Sequence, residues 1–173
     1  MSQVREIAQL GAEVLRLQAK EVKNMHADEM QLIADDMFTT LADTNGVGIA
    51  APQISASWRM MILASRPSER YPQAPEMDPT LMINPSFEPL SETQEKDWEG
   101  CLSIPGIRAK VPRYTQIKVS YTDTLGKLVE QTLDGFVARV FQHEYDHLDG
   151  LVYLDRVENN RDIISEQEFA KLM

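Results

Sequence analysis

The sequence predicts an α+β fold, and the order of its patterned segments supports this class. Segments with helical periodicity lie near both ends of the 173-residue chain, whereas the middle has the short apolar runs and alternation typical of β-strands. With 43% hydrophobic and 25% charged residues, the composition is that of a globular protein. The length suits one unit, so we expect residues 1–173 to form a single domain.

The first clear helix is predicted from about Asp28 to Thr44. Its apolar residues recur at intervals of three and four, which places them on one face: Met30, Ile33, Ala34, Met37 and Leu41. Asn45-Gly46 then ends the helix, because both residues tolerate a left-handed cap. A shorter helix is expected before it, between about Ser2 and Leu17.

Strand-like segments follow this helix. The apolar run Met60–Ala64 is typical of a buried strand. From Arg66 to Pro79 the chain contains four prolines, which predicts a surface loop. Strand character returns at Leu81–Ile83 and around Phe87, and the alternation from Ile117 to Leu133, interrupted by a turn at 123–126, predicts a hairpin. A second helix is predicted from Gly135 to Leu148, and the tail is expected to end in one more short helix.

Charge and cysteine content limit the possible partners. The 27 acidic residues outnumber the 17 basic ones, giving a net charge of −10, which disfavours binding to nucleic acid. No apolar run approaches the length of a membrane span, and the first residues lack the pattern of a secretory signal. The single cysteine agrees with a reducing compartment. We therefore expect a cytoplasmic protein without membrane association.

The clearest chemical signal is H-E-x-x-H, formed by His143, Glu144 and His147. Residues four apart share one helix face, so both imidazoles can bind one cation while Glu144 reaches a water beside it. A catalytic site of this kind needs a third protein ligand and one open position. Cys101, the only thiol, is one candidate. The other is Glu166, nineteen residues beyond His147, as in thermolysin-like peptidases.

Three segments together resemble the motifs of the polypeptide deformylases, in the order and spacing of that family. They are residues 46–53 (GVGIAAPQ), 99–103 (EGCLS) and 142–150 (QHEYDHLDG), and the likeness extends from roughly Gln9 to Arg156. The first segment also fits a relaxed dinucleotide fingerprint, but a helix precedes it and Pro52 follows, so we do not expect nucleotide binding.

The resemblance implies a catalytic domain that hydrolyses the formyl group of N-formylmethionyl peptides, with Cys101, His143 and His147 as metal ligands and water in the fourth position. It implies Fe2+ as the physiological ion, with Zn2+, Ni2+ or Co2+ able to substitute. Glu144 is expected to act as base and then acid, and the Leu102 N–H and the Gln53 amide to stabilise the oxyanion. Because these groups are all present, an inactive binding relative is disfavoured.

The remaining expected residues concern the substrate and the overall architecture. Those expected to bind or surround the substrate are Gly46, Val47, Gly48, Glu99, Gly100, Arg108, Phe136 and Val140. Glu99 is also expected to pair with Arg113. We expect antiparallel or mixed sheets packed around a central metal-binding helix, with N-terminal helices and a short C-terminal helix. The tail after residue 156 has more acidic than basic residues, which argues against docking of a basic helix on the ribosome.

Overall fold

The protein, here a computed structural model that describes residues 1–69 and 71–173, contains two antiparallel sheets, and the α+β class is confirmed. The larger sheet has the order β1-β2-β3-β6-β7 and consists of β1 (Gly48–Ala50), β2 (Met60–Ser65), β3 (Met77–Pro89), β6 (Gln116–Thr122) and β7 (Leu128–Asp134). The smaller sheet has the order β4-β5-β8 and consists of β4 (Gln94–Cys101), β5 (Ile104–Tyr114) and β8 (Ile163–Ser165).

Three α-helices accompany the sheets within the described residues. They are α1 (Asp28–Ala42), α2 (Gly135–Leu148) and α3 (Glu166–Ala170), and short 3-10 segments occur at Glu13–Arg16, Ala51–Ile54, Tyr153–Arg156 and Asn160–Asp162. The predicted second helix therefore has the expected bounds, and the first ends two residues earlier than predicted. No described helix has the length and apolarity that crossing a bilayer requires.

Strand β2 forms the centre of the core because both of its faces are buried. Met60 and Ile62 pack with the apolar stripe of α1, whereas Met61 and Leu63 pack with α2. This two-sided burial explains why the strand is a continuous apolar run rather than an alternating one. The helix α2 is buried on nearly every side, which is the central position expected for it.

The N-terminal segment differs from the prediction. Instead of a helix between Ser2 and Leu17, the chain forms only the 3-10 turn Glu13–Arg16, and residues 3–10 cross the surface of the fold without helix or strand. We call residues 3–10 the N-terminal strap. Several of its N–H groups donate to tertiary acceptors, including side chains of α1, rather than to a helical ladder.

The strands also differ in extent from the prediction. β3 begins at Met77, inside the predicted 66–79 loop, and joins the two expected strands into one with an irregularity between Ile83 and Ser86. Residue 70 of that loop lies outside the described residues. The predicted hairpin is confirmed as β6 and β7, and the predicted C-terminal helix is α3. Strands β1, β4, β5 and β8 were not predicted.

Replacing Gly150 with alanine is expected to destabilise the fold by about 2–4 kcal/mol. Gly150 has φ +77°, and a Cβ there would lie 2.6 Å from the carbonyl oxygen of Arg16. Gly126→Ala is the matched control, because Gly126 has φ +81° but nothing within 4 Å of its added Cβ. Urea unfolding should therefore show a loss of about 1 kcal/mol for the control. Equal losses for the two variants would contradict a steric role for the Arg16 contact.

Candidate metal centre and its groove

Three potential metal ligands converge from two parts of the fold. Cys101 ends β4 at the tight β4–β5 hairpin, where it pairs with Ile104, and His143 and His147 lie one turn apart on α2. Their ligand atoms all lie within 4.8 Å of one another, and the Cys101 Sγ is 3.4 Å from Nε2 of His147. Thiolate and imidazole are suitable ligands for a divalent transition metal ion.

The electrostatics around the two imidazoles fit a cation. Burial lowers the pKa of His147 well below its usual value, which keeps that ring in the neutral form that binds metals. Burial also opposes protonation of His143, but the neighbouring Cys101 and Glu99 outweigh it and raise the pKa of His143. The same electron-rich neighbours that favour a proton on this ring would favour a metal ion beside it.

Glu99 orients the His143 ring through a hydrogen bond to its Nδ1 atom. Its Oε1 lies 2.8 Å from Nδ1 of His143, which leaves Nε2 for a metal. Arg113 binds both oxygens of this carboxylate, at 2.9 and 3.0 Å, and Arg139 donates to Oε2 at 2.8 Å. Burial opposes ionisation of Glu99, but Arg113 and His143 more than offset it and hold its pKa far below the usual range. The expected Glu99–Arg113 pair is present, and Arg139 extends it.

A second carboxylate continues this buried network along α2. Asp146 accepts from Nη1 of Arg113 at 2.7 Å and from Nη2 of Arg156 at 2.9 Å. Arg139, which sequence reasoning missed, donates to the backbone carbonyls of Val111 and Glu95 as well as to Glu99. The network therefore fixes the ligand helix to both strands of the hairpin that bears Cys101.

Replacing Glu99 with glutamine is expected to destabilise the protein by about 3–5 kcal/mol, because two arginines then lose a buried counter-charge. Chemical denaturation of the metal-free protein would measure this loss without any contribution from an ion. Glu95→Gln is the control, since only the backbone carbonyl of Glu95 takes part in the network. A loss below about 1 kcal/mol for Glu99→Gln would mean that the arginines find other partners.

Glu144 is buried beside His143, and its environment suits a group that exchanges protons near neutrality. Burial raises its pKa to about 7. One carboxylate oxygen, Oε2, has no hydrogen-bond partner among the described residues. Gly48 contacts this side chain: an added Cβ would lie 2.9 Å from Cγ of Glu144. Glycine at position 48 therefore makes room for the Glu144 side chain.

Gln53 is held in the 3-10 segment that follows β1. Its side-chain Oε1 accepts from the N–H of Ala50 at 2.9 Å, which directs Nε2 toward Ser103 Oγ at 3.2 Å and Cys101 Sγ at 3.7 Å. Only 1% of Gln53 is exposed, so this is a fixed amide donor beside the ligand cluster rather than a solvated loop residue.

A groove of about 780 Å³ opens over this cluster. Every residue predicted to bind or surround the substrate lines it: Gly46, Val47, Gly48, Glu99, Gly100, Arg108, Phe136 and Val140. The carboxylate of Glu99 itself is engaged with His143 and the arginines, as described above. Tyr71, in the predicted loop, was missed; its ring lies 4.4 Å from that of Phe136 and its hydroxyl donates to the Trp98 carbonyl.

The alternative third ligand, Glu166, lies at the rim of the groove rather than in the ligand cluster. Its Oε1 accepts from Nε of Arg108 at 2.8 Å, and the Arg108 guanidinium lies over the ring of Phe169 on α3. An added Cβ on Gly100 would collide with Arg108, so this arginine covers the strand next to Cys101. The thermolysin-like alternative is therefore not favoured, because Glu166 is hydrogen-bonded to Arg108 and Cys101 lies in the ligand cluster.

Comparison with known proteins agrees with this arrangement. The family model described as polypeptide deformylase matches residues 4–162. The chain is 53% identical to peptide deformylase 2 of a Nostoc species over 167 residues, covering 96% of this chain and 93% of that protein. It is 46% identical to peptide deformylase 1 of Xanthomonas campestris over 156 residues, covering 90% and 91%.

Solved structures of similar proteins share the fold over most of their length. A class I type b peptide deformylase from Acinetobacter baumannii with Met-Ala-Ser bound superposes with a TM-score of 0.86 at 42% identity, covering 91% of this chain and all of that one. Peptide deformylase from Thermotoga maritima superposes with a TM-score of 0.79 at 36% identity, covering 91% and 99%.

Proposed function

The chain belongs to the polypeptide deformylase family and catalyses metal-dependent removal of the N-formyl group from polypeptides, and on this basis we propose which residues perform the reaction. The observation on which the proposal rests is the convergence of the Cys101, His143 and His147 ligand atoms within 4.8 Å beneath the groove. We assign these three residues as the metal ligands within a single catalytic domain formed by residues 1–173. The donor set leaves a divalent ion with a net positive charge.

A divalent ion held there supplies Lewis acidity, which polarises a carbonyl and makes water acidic enough to react near neutral pH. Glu144 takes the proton from the attacking water, for which its burial beside the ligands and its unpartnered Oε2 suit it. As the formyl carbon becomes tetrahedral, charge builds on its oxygen, and the Leu102 N–H and the Gln53 amide donate to it. Glu144 then passes the proton to the leaving amine, and formate is released.

The groove accounts for recognition of a methionine at the start of the substrate. Phe136 and Val140 lie on the face of α2 that bears His143, and together with Val47 they give an apolar wall beside the ligands. An unbranched thioether side chain fits such a wall. Met-Ala-Ser, which the similar Acinetobacter protein binds, begins with methionine, and we propose that this groove binds peptides of the same form.

We propose Fe2+ as the physiological ion, with Zn2+, Ni2+ or Co2+ able to substitute, and a cytoplasmic location where nascent chains emerge. Because the tail is acidic on balance, ribosome contact is not assigned to it.

The test is anaerobic purification, metal analysis, and assay of a formyl-methionyl peptide beside its acetylated counterpart. We expect hydrolysis of the formyl peptide and at least a hundredfold slower turnover of the acetyl peptide. Equal rates on the formyl and acetyl peptides would overturn the proposed deformylase reaction. Equal activity half-lives in air and under nitrogen would overturn the proposal that iron is the bound ion.

A further inference from the structure

We infer that the N-terminal strap is a positioning element for the two oxyanion donors. This inference rests on the proposed function, because it concerns the roles assigned to Gln53 and Leu102. Its starting observation is where the strap donates its hydrogen bonds. The N–H of Ala8 donates to the carbonyl of Gln53 at 2.8 Å, and the N–H of Leu10 donates to the carbonyl of Ser103 at 2.9 Å.

Gln9, between these two donors, reaches the same loop through its side chain. Its Nε2 lies 3.4 Å from the carbonyl of Leu102 and 3.2 Å from that of Ile7. Three consecutive strap residues thus contact the main chain of Gln53, Leu102 and Ser103. Gln53 and Ser103 also meet directly, through the amide and hydroxyl separated by 3.2 Å.

The other end of the strap is anchored to a rigid element. The N–H of Gln3 donates to Asp36 at 2.8 Å and the N–H of Arg5 to Thr40 at 2.8 Å, and both acceptors are buried side chains of α1. Arg5 also forms an ion pair with Asp36 at 2.6 Å. The strap therefore connects α1 to the segments that contain Gln53 and Leu102.

The strap does not itself reach the substrate. Among the described residues that line the groove, Gln53 and Leu102 are present but none of residues 3–10 is. With their carbonyls held by the strap, Gln53 and the 101–103 loop keep their two donors in register with each other. Since catalytic donors must be held to within a fraction of an ångström, loosening this support lowers the rate of the chemical step more than it weakens substrate binding.

The test removes single N–H donors from the strap. Ala8→Pro and Leu10→Pro each delete one hydrogen bond, and Glu6→Pro is the matched control because the Glu6 N–H makes no hydrogen bond among the described residues. For the metal-loaded enzyme well below its Tm, we expect kcat to fall about tenfold in both test variants, with KM and metal content within about twofold of wild type. The control should keep wild-type kcat. A lower Tm with unchanged kcat in both test variants would overturn the inference.

A double-mutant cycle shows whether the effect passes through Gln53. If Ala8 acts by positioning this amide, Ala8→Pro should cost much less kcat in a Gln53→Ala background than in wild type. If the effects of Ala8→Pro and Gln53→Ala on kcat are fully additive, Ala8 does not act through the Gln53 amide. If Gln53→Ala alone leaves kcat unchanged, the assignment of Gln53 as an oxyanion donor is wrong. If Gln53→Ala lowers kcat strongly but the strap variants do not, only the inference about the strap is wrong.

A side-chain variant covers the case in which the proline variants do not fold. Gln9→Leu removes the amide that reaches Leu102 while leaving the backbone unchanged, and Gln3→Leu is its control, because only the backbone of Gln3 donates in the strap. We expect kcat to fall about threefold for Gln9→Leu and to stay unchanged for Gln3→Leu. Equal kcat values for Gln9→Leu and Gln3→Leu would contradict a positioning role for the strap.

Discussion

Glu144→Gln is expected to reduce kcat by about 10³-fold or more while the metal stays bound. The substitution keeps the shape of the side chain, so Gly48 still accommodates it, but an amide cannot take the proton from the attacking water. The same residue also returns the proton to the amine, so both halves of the reaction lose their proton carrier. Steady-state assays on a formyl-methionyl peptide, with metal content measured on the same sample, provide the check.

Metal content is what separates a chemical from a structural effect in this variant. Glu130→Gln, an exposed position on β7, serves as the control and should retain wild-type kcat. If Glu144→Gln keeps its metal and more than a tenth of the activity, another group must be the base. A loss of metal together with activity would instead mean that Glu144 supports the ligands.

Cys101→Ser is the second variant with a large expected effect. A serine hydroxyl is not ionised near neutral pH, so the site loses its anionic ligand and much of its affinity for a divalent transition metal ion. We expect metal content well below one ion per chain after dialysis and at least a hundredfold loss of iron-dependent activity. Metal analysis and assay under anaerobic conditions measure both quantities.

Glu166→Ala is the matched comparison for Cys101→Ser, since Glu166 was the alternative third ligand. Because Glu166 accepts from Arg108 at the rim, its removal should leave metal content unchanged. Any effect is expected on KM, through a less restrained Arg108. Loss of the metal in Glu166→Ala with retention in Cys101→Ser would reverse the ligand assignment.

The extent to which the sequence predicted the molecule differs between its elements. α2 was predicted with its observed bounds, and its two histidines are spaced by one helical turn. β2 was predicted because burial on both faces makes it almost uniformly apolar. β4 was missed because five of its eight residues are polar or charged and its first four are exposed, so its sequence lacks the apolar alternation of a half-buried strand. Its pairing with β5 is a tertiary property that local pattern does not encode.

The site shows the same division. The ligands could be proposed because few residue types bind metal and their spacing is regular. Arg139 could not, because its partners Glu99, Val111 and Glu95 lie about 30 to 45 positions away in sequence and meet it only after the hairpin folds onto α2. The strap was mistaken for a helix because its acceptors lie on α1 and on the catalytic segments, which no local window contains.

The contact between Gly48 and Glu144 has an evolutionary consequence. A side chain at position 48 would occupy the space that the Glu144 side chain fills. Position 48 cannot make more room for residue 144, because glycine is already the smallest residue. A side chain at position 48 would therefore be tolerated only if residue 144 became smaller, whereas glycine at position 48 accepts a residue 144 of equal or smaller size. The requirement for glycine at position 48 is thus set by a residue almost a hundred positions further along the chain.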